Sequence, residues 1–226
     1  MTTPHASRQK ILDRIRTATN SAAQSSVLVA GEYAVLPRTY TRKGQLTLEA
    51  RIQLMIERLR EYDTDVVECM PEALPTTIAH QLFASGKSVF VAPPGLPAEW
   101  LVEGLDWKVD HGLATAEIEQ TEGVVTAAFC GVADSGTIVL HHSVAEGRRV
   151  LTLLPDWHLC ILRASQIVEI LPEYFDRCPH PPHLATTISG PSATADIEMT
   201  RIKGVHGPRF LHVIVVRDLG VSPTVQ

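Results

Sequence analysis

The chain has 226 residues, 45% of them hydrophobic, enough for one large α/β domain with a packed core, or for one domain plus a helical arm. Its formal net charge of −5 offers no basic field to neutralise a row of phosphates, which argues against nucleic acid as a partner. No apolar run approaches the roughly 20 residues that cross a bilayer, and the opening "MTTPHASRQK" lacks the apolar core of a secretory signal, so the expected location is the cytoplasm.

In chain order, "SRQKILDRIRTA" carries Ile11 and Ile15 among charges and reads as a short amphipathic helix. Residues 18–45 scatter Ser, Asn, Gly, Pro and Thr among short apolar pieces and read as an ordered arm or a linker. Leu48, Ile52, Met55 and Leu59 then keep helical spacing, with charged residues mostly on the other side. "TDVVECM" is strand-like, "ALPTTIAHQLFASG" is helix-like with a stop at Gly86, and "KSVFVAPPG" is a buried strand ending in a Pro-Gly turn. A further helix is expected around 98–104, whereas "GLATAEIEQTEG" is compatible with helix or loop. "VVTAAFCGVA" and "TIVLHH" flank "DSG" as two strands about a tight turn, and "RVLTLLPDWHLCILRA" reads as two more about Pro155-Asp156. Ile167, Ile170, Leu171 and Tyr174 mark a helix running to about Phe175. "LATTIS" and "RFLHVIVV" are apolar runs of the kind found in strands buried on both faces.

Strands separated by helices predict a mainly parallel sheet covered on both sides, with ligands at the carboxyl ends of its strands. "SGPSATADIEMTRIKGVHGPR", residues 189–209, is expected at such an end. Gly190 and Pro191 turn the chain, and Ser192 or Thr194 can cap a helix, either as plain caps or as part of an anion site at its N-terminus. Lys203, His206 and Arg209 return positive charge toward the same edge, while Asp196 and Glu198 complement the helix dipole or orient donors. Asp134-Ser135-Gly136-Thr137 has the composition of a structural turn as well as of a binding loop.

No metal site emerges from the pattern. His141 and His142 are adjacent in a strand and point to opposite faces. In "CPHPPH", a polyproline path separates His180 from His183 by roughly 9 Å, too far for one zinc ion. Cys69, Cys130, Cys160 and Cys178 form no CxxC, so the spacing fits neither an iron–sulfur cluster nor a zinc ribbon. Cys130 and Cys160 lie in apolar stretches and are expected to be inert. A dinucleotide-binding GxGxxG is absent as well.

"SGPSATADIEMTRIKGVHGPRFLHVIVV" and "GVADSGTIVL" closely resemble the two signature blocks of the LutC/YkgG family of lactate-utilisation LUD domain proteins, and "SRQKILDRIRTA", "LPRTY" and "LTLLPDWHLCIL" are similar to that family's N-terminal helix, arm and paired strands. The resemblance runs from about residue 7 to 216. It implies a three-layer α/β/α sandwich with a mainly parallel sheet, like the NagB/RpiA/CoA-transferase-like fold, with residues 1–45 as helix and arm and 46–226 as the LUD domain. It also implies a cluster-free subunit of an L-lactate-oxidising complex, binding no cofactor itself. Its partners would be an iron–sulfur LUD subunit, which carries clusters, and a cysteine-rich redox subunit.

The resemblance assigns no catalytic residue, so the signature positions stand as candidates. Residue chemistry and resemblance together give a ligand-binding set of Asp134, Ser135, Gly136, Thr137, Ser189, Gly190, Pro191, Ser192, Thr194, Asp196, Glu198, Lys203 and Gly207 for a small carboxylate or phosphate-bearing ligand. His206, with an ordinary pKa near neutrality, is the candidate to take the hydroxyl proton of a 2-hydroxy acid. Two other functions fit the same fold: a stand-alone transferase or isomerase, and a carboxylate-sensing or scaffolding protein.

Overall fold

The structure, a computed structural model, describes residues 4–18, 31–37, 39–195, 201–203 and 207–218. The chain divides into two compact units, Met1–Tyr40 and Thr41–Gln226. In the first, α1 (Pro4–Ala18) leaves Ile11 and Ile15 exposed, and the Gln9 and Arg16 side chains both donate to Asp13.

The second unit is built on a six-stranded sheet in the order β1-β12-β7-β4-β2-β3, formed by β1 (Asp65–Cys69), β2 (Val89–Ala92), β3 (Asp106–Val109), β4 (Gly123–Ala127), β7 (Trp157–Arg163) and β12 (Phe210–Val216). Every pair in it is parallel. Such a sheet needs cover on both faces. On one face α3 (Leu74–Ala84) buries Leu74, Ile78 and Leu82 against Phe90, Leu159, Ile161 and Ile214. On the other, α2 (Leu48–Glu61) buries Ile52, Met55, Ile56 and Leu59 against Cys160, Leu162, Val213 and Val215. Each such side chain contributes about 1.5–3 kcal/mol. Thr47 caps α2 by accepting from Ala50 N at 3.3 Å, and Gly86, at φ +67, ends the chain's run through α3 as the sequence predicts.

The layer that holds α2 also contains a small mixed sheet in the order β8-β5-β6-β9, made of β5 (Cys130–Val132), β6 (Thr137–Leu140), β8 (Ile167–Val168) and β9 (Thr186–Ile188). Its outer face packs Val132, Val139 and Val168 with Tyr174 of α5 (Leu171–Arg177). A hairpin of β10 (Ala193–Ala195) and β11 (Arg201–Lys203) and a short α4 (Thr115–Glu119) complete the second unit. Among the described residues, no helix is long and apolar enough to cross a membrane.

Several expectations are corrected. Residues 98–104 contain only a 3-10 turn, Ala98–Trp100. Arg149–Thr152 is also a 3-10 turn and not a strand. β7 pairs with β4 on one side and β12 on the other, so it has no open edge for a preceding hairpin strand. "VVTAAFCGVA" splits into β4 and β5 in different sheets, because both halves are buried and the apolar run hides the break. The helix assigned from Ile167 begins only at Leu171, after β8, since Pro172 fits just the first helical turn. β9 is an edge strand with Thr187 exposed, not one buried on both faces. Thr194 lies in β10, opposite Ile202, so it does not cap a helix.

Candidate functional site

A cavity of about 270 Å³ opens in the second unit beside the stretch singled out by sequence, with Thr187 through Ala193 along one wall. Arg149, Thr152, Leu153, His158, Pro208 and Leu211 complete its lining among the described residues. His158 is the second residue of β7 and pairs with Leu211, the second of β12. The cavity therefore sits at the amino ends of these strands, not at the carboxyl ends where the sequence reading put residues 189–209. The cause is β9, which belongs to the small sheet and delivers the chain to the opposite rim.

Gly190 makes the wall possible. Its φ is +84, and a Cβ there would meet the Tyr62 Cβ at 2.5 Å, so any larger residue would push the turn off α2's end. Ser192 N donates to Pro208 O at 2.8 Å, which ties the turn to the start of β12.

The two signature blocks meet at this rim. Ile138 pairs with Ile188 in the antiparallel β6–β9 ladder, so Thr137 and Ser189 face each other one step further on. Their hydroxyls are 2.8 Å apart, and Ser135 Oγ lies 2.8 Å from Thr137 Oγ1. Gly136, at φ +59, lets the Asp134–Thr137 turn lie against Arg58 of α2, where a Cβ would come within 2.7 Å. Among the described cavity-lining residues none comes from Asp134–Thr137: that turn supports Ser189 from behind.

Of the other candidates, Ser189, Gly190, Pro191 and Ser192 line the cavity. Gly207 has φ +136 beside Pro208, and Lys203 is the backbone partner of Ala193. Asp196, Glu198 and His206 lie outside the described residues. Arg209 does not supply charge as expected. Its guanidinium grips Asp156 through bonds of 2.6 and 2.8 Å and holds that carboxyl below its usual pKa range.

The sequence reading missed Arg149 and His158. Arg149 Nη1 donates to Thr152 Oγ1 at 3.3 Å and has no carboxylate partner among the described residues. His158 is 1% exposed, its Nε2 is 2.8 Å from Thr126 Oγ1, and Thr126 in turn donates to Cys160 Sγ at 3.8 Å. Burial pushes the His158 imidazole down to about 4, so the ring is neutral at physiological pH. The same burial pushes the Cys160 thiol up to about 12, and the Cys130 thiol up to about 11. Neither is a ready nucleophile or metal ligand.

A second, smaller cleft of about 190 Å³ lies at the carboxyl ends of β2 and β3, lined by Pro94, Asp110, His142, Ser143 and Arg148 among others. Its polar groups satisfy one another. Arg148 clamps Asp110 at 2.7 and 2.6 Å and also donates to Leu113 O, and Asp110 further accepts from Gly112 N and Leu113 N. The guanidinium lowers the Asp110 pKa. Buried Glu146 accepts from the Ser143 hydroxyl and from His141 N. His142, left-handed at φ +57, places its ring nitrogens 2.8 Å from Gly147 O and Thr186 Oγ1, while His141 stacks on Phe129 and reaches the Tyr174 hydroxyl. The two imidazoles have separate partners, but not because a strand alternates them: both residues lie past the end of β6, at Leu140, and His142 is turned by its left-handed backbone. His180 and His183 are exposed, and no group of three metal-ligating side chains occurs among the described residues.

A parallel sheet layered on both faces, with a small polar cavity at one edge, defines an α/β protein with a confined small-molecule-sized pocket. The chain belongs to the LUD domain family, whose sequence model matches residues 52–216. It is 38% identical over 164 residues to "Lactate utilization protein C" of Deinococcus radiodurans, an alignment covering 71% of this chain and 76% of that one. "Lactate utilization protein C" of Bacillus subtilis is 26% identical over 233 residues, covering 93% and 96%. "Uncharacterized protein YkgG" of Escherichia coli is 38% identical over 110 residues, covering 46% and 47%. The crystal structure of a DUF162 family protein from Deinococcus radiodurans superposes with a TM-score of 0.65 at 32% identity, covering 76% of this chain and all of that one.

Proposed function

We propose that this chain acts in lactate utilisation as the cluster-free subunit of an L-lactate-oxidising complex, binding the small carboxylate in the cavity beside residues 187–193. Oxidation of L-lactate to pyruvate releases two electrons and two protons. The electrons would pass to clusters in an iron–sulfur LUD subunit and a cysteine-rich redox subunit. The observation that carries the reading is the cavity itself: Arg149, without a carboxylate partner among the described residues, shares a wall-to-wall space of about 270 Å³ with Ser189 and Ser192. A guanidinium with hydroxyl donors nearby is the usual way to hold a small carboxylate. Kinship with proteins named for lactate utilisation supports the choice of acid. The buried, protonated Cys130 and Cys160 support electron transfer through other chains.

The test is reconstitution. Purified alone, the chain should be colourless and inert toward L-lactate. Mixed with the two cysteine-rich subunits it should co-elute with them, and L-lactate-dependent reduction of an artificial electron acceptor should require it. Full activity without this chain overturns the proposal. Turnover of an acyl-CoA or sugar phosphate by the chain alone would favour the transferase or isomerase reading, and binding without any effect on turnover in the complete complex the sensing one.

A further inference from the structure

Alternation along β7 sends His158, Cys160 and Leu162 to the face covered by α2 and the small sheet. On the neighbouring strand β4, Val124 pairs with His158 and Thr126 with Cys160, so Thr126 stands opposite the cysteine and diagonal to the imidazole. Its hydroxyl lies 3.8 Å from Cys160 Sγ and 2.8 Å from His158 Nε2. The hydroxyl can spend its hydrogen on sulfur or on Nε2; when it goes to sulfur, Oγ1 accepts from Nε2–H and Nδ1 keeps a lone pair. Nδ1 has no hydrogen-bond partner among the described residues, although the residue is 1% exposed and lines the cavity. A ring nitrogen that no protein group satisfies is open to a ligand, and a ligand that completes it binds more tightly.

We infer that His158 carries its proton on Nε2, toward Thr126, and with the free Nδ1 reads the oxygen on C2 of the bound acid, accepting a hydrogen bond from a hydroxyl and turning away a carbonyl. The inference rests on the cavity being the carboxylate site. With Arg149 at the same cavity for the carboxylate, the imidazole meets the adjacent carbon's substituent. A 2-hydroxy acid offers O–H to the Nδ1 lone pair. A 2-oxo acid offers only lone pairs, and two acceptors then face each other. The chain thus selects the reduced member of the pair at binding.

Titration calorimetry on the full-length chain with L-lactate and with pyruvate tests this. The expected affinity ratio is about tenfold in favour of lactate, the usual effect of one satisfied against one unsatisfied buried hydrogen bond. His158→Phe keeps the flat ring but deletes both nitrogens, so the ratio should collapse toward one while both acids still bind. Thr126→Val releases the tautomer and should narrow or reverse the ratio, and Thr126→Ser should restore it. Nitrogen-15 NMR of the wild-type ring should show a protonated Nε2 and a bare Nδ1. Equal affinities in the wild type, a ratio that survives His158→Phe in the folded variant, or the opposite tautomer overturns the role of His158 and leaves the cavity reading intact. Failure of both acids to bind the wild type overturns the cavity reading, and the assignment of His158 with it.

Discussion

The cleft at the carboxyl ends of β2 and β3 and the cavity at the amino ends of β7 and β12 are flanked by adjacent arginines, Arg148 and Arg149, and differ in what those arginines meet. Arg148 finds Asp110, a carboxylate 2% exposed at its side chain, and locks it with two short bonds. Arg149 finds only the Thr152 hydroxyl among the described residues. Parallel sheets usually bind ligands at the carboxyl edge, yet here that edge holds charges already neutralised by one another. The amino edge lines its cavity with a guanidinium that has no carboxylate partner among the described residues and with an imidazole whose Nδ1 has no hydrogen-bond partner there. Position in the fold is a weaker guide to a site than unspent hydrogen-bonding capacity.

The largest expected effect concerns acid. The His158 pKa is about 4 in the folded protein against 6.5 ordinarily, so the unfolded chain takes up a proton that the native state refuses. Stability is therefore fully present above pH 6.5 and falls as pH drops toward 4, by on the order of 3 kcal/mol. His141 and His212, both lowered by burial, act in the same direction. Asp110 and Asp156 add their own loss only below about 3.8, their unfolded value. Urea unfolding at pH 7, 5 and 4 should show a shallower decline for His158→Gln than for the wild type, and parallel curves would mean the ring is not held neutral.

Next in size is the contrast between the two arginines. Arg148→Gln leaves Asp110 buried with only backbone donors and should reduce stability by about 2 kcal/mol, less than a wholly buried pair because the arginine is half exposed. Arg149→Gln should stay within about 0.5 kcal/mol of wild type. Chemical denaturation measures both, and equal losses would erase the distinction between clamp and site. Smaller still, Ser189→Ala removes one end of the hydroxyl chain through Thr137 to Ser135 and should cost about 1 kcal/mol in stability. Thr137→Val cuts the same chain behind the rim and should cost a similar amount, and denaturation curves unchanged in both variants would mean the hydroxyl chain carries no stability.

How far the sequence reaches can be followed residue by residue. Leu48, Ile52, Met55 and Leu59 announce α2 because one periodicity decides which face is buried. Ser189 to Ser192 were legible as a rim because breakers and hydroxyls cluster there. Arg149 was not, since two consecutive arginines look alike until the 3-10 turn at Arg149–Thr152 sends one to Asp110 and the other to the cavity. His158 sits in an unbroken apolar run and reads as a strand residue. Only the pairing of β4 with β7 brings Thr126 to it. The edge on which the cavity opens depends on β9 joining the small sheet, a long-range choice that local pattern does not carry.

The central claim, that Arg149 anchors a small carboxylate in the amino-edge cavity, is tested most directly by titrating L-lactate calorimetrically into the wild type, Arg149→Gln and Arg148→Gln. Single-site saturable binding should weaken at least tenfold in Arg149→Gln, since a charged hydrogen bond is worth about 1.5–3 kcal/mol, and persist in folded Arg148→Gln. Affinity unchanged in Arg149→Gln but lost in folded Arg148→Gln would contradict the account and move the site to the carboxyl-edge cleft.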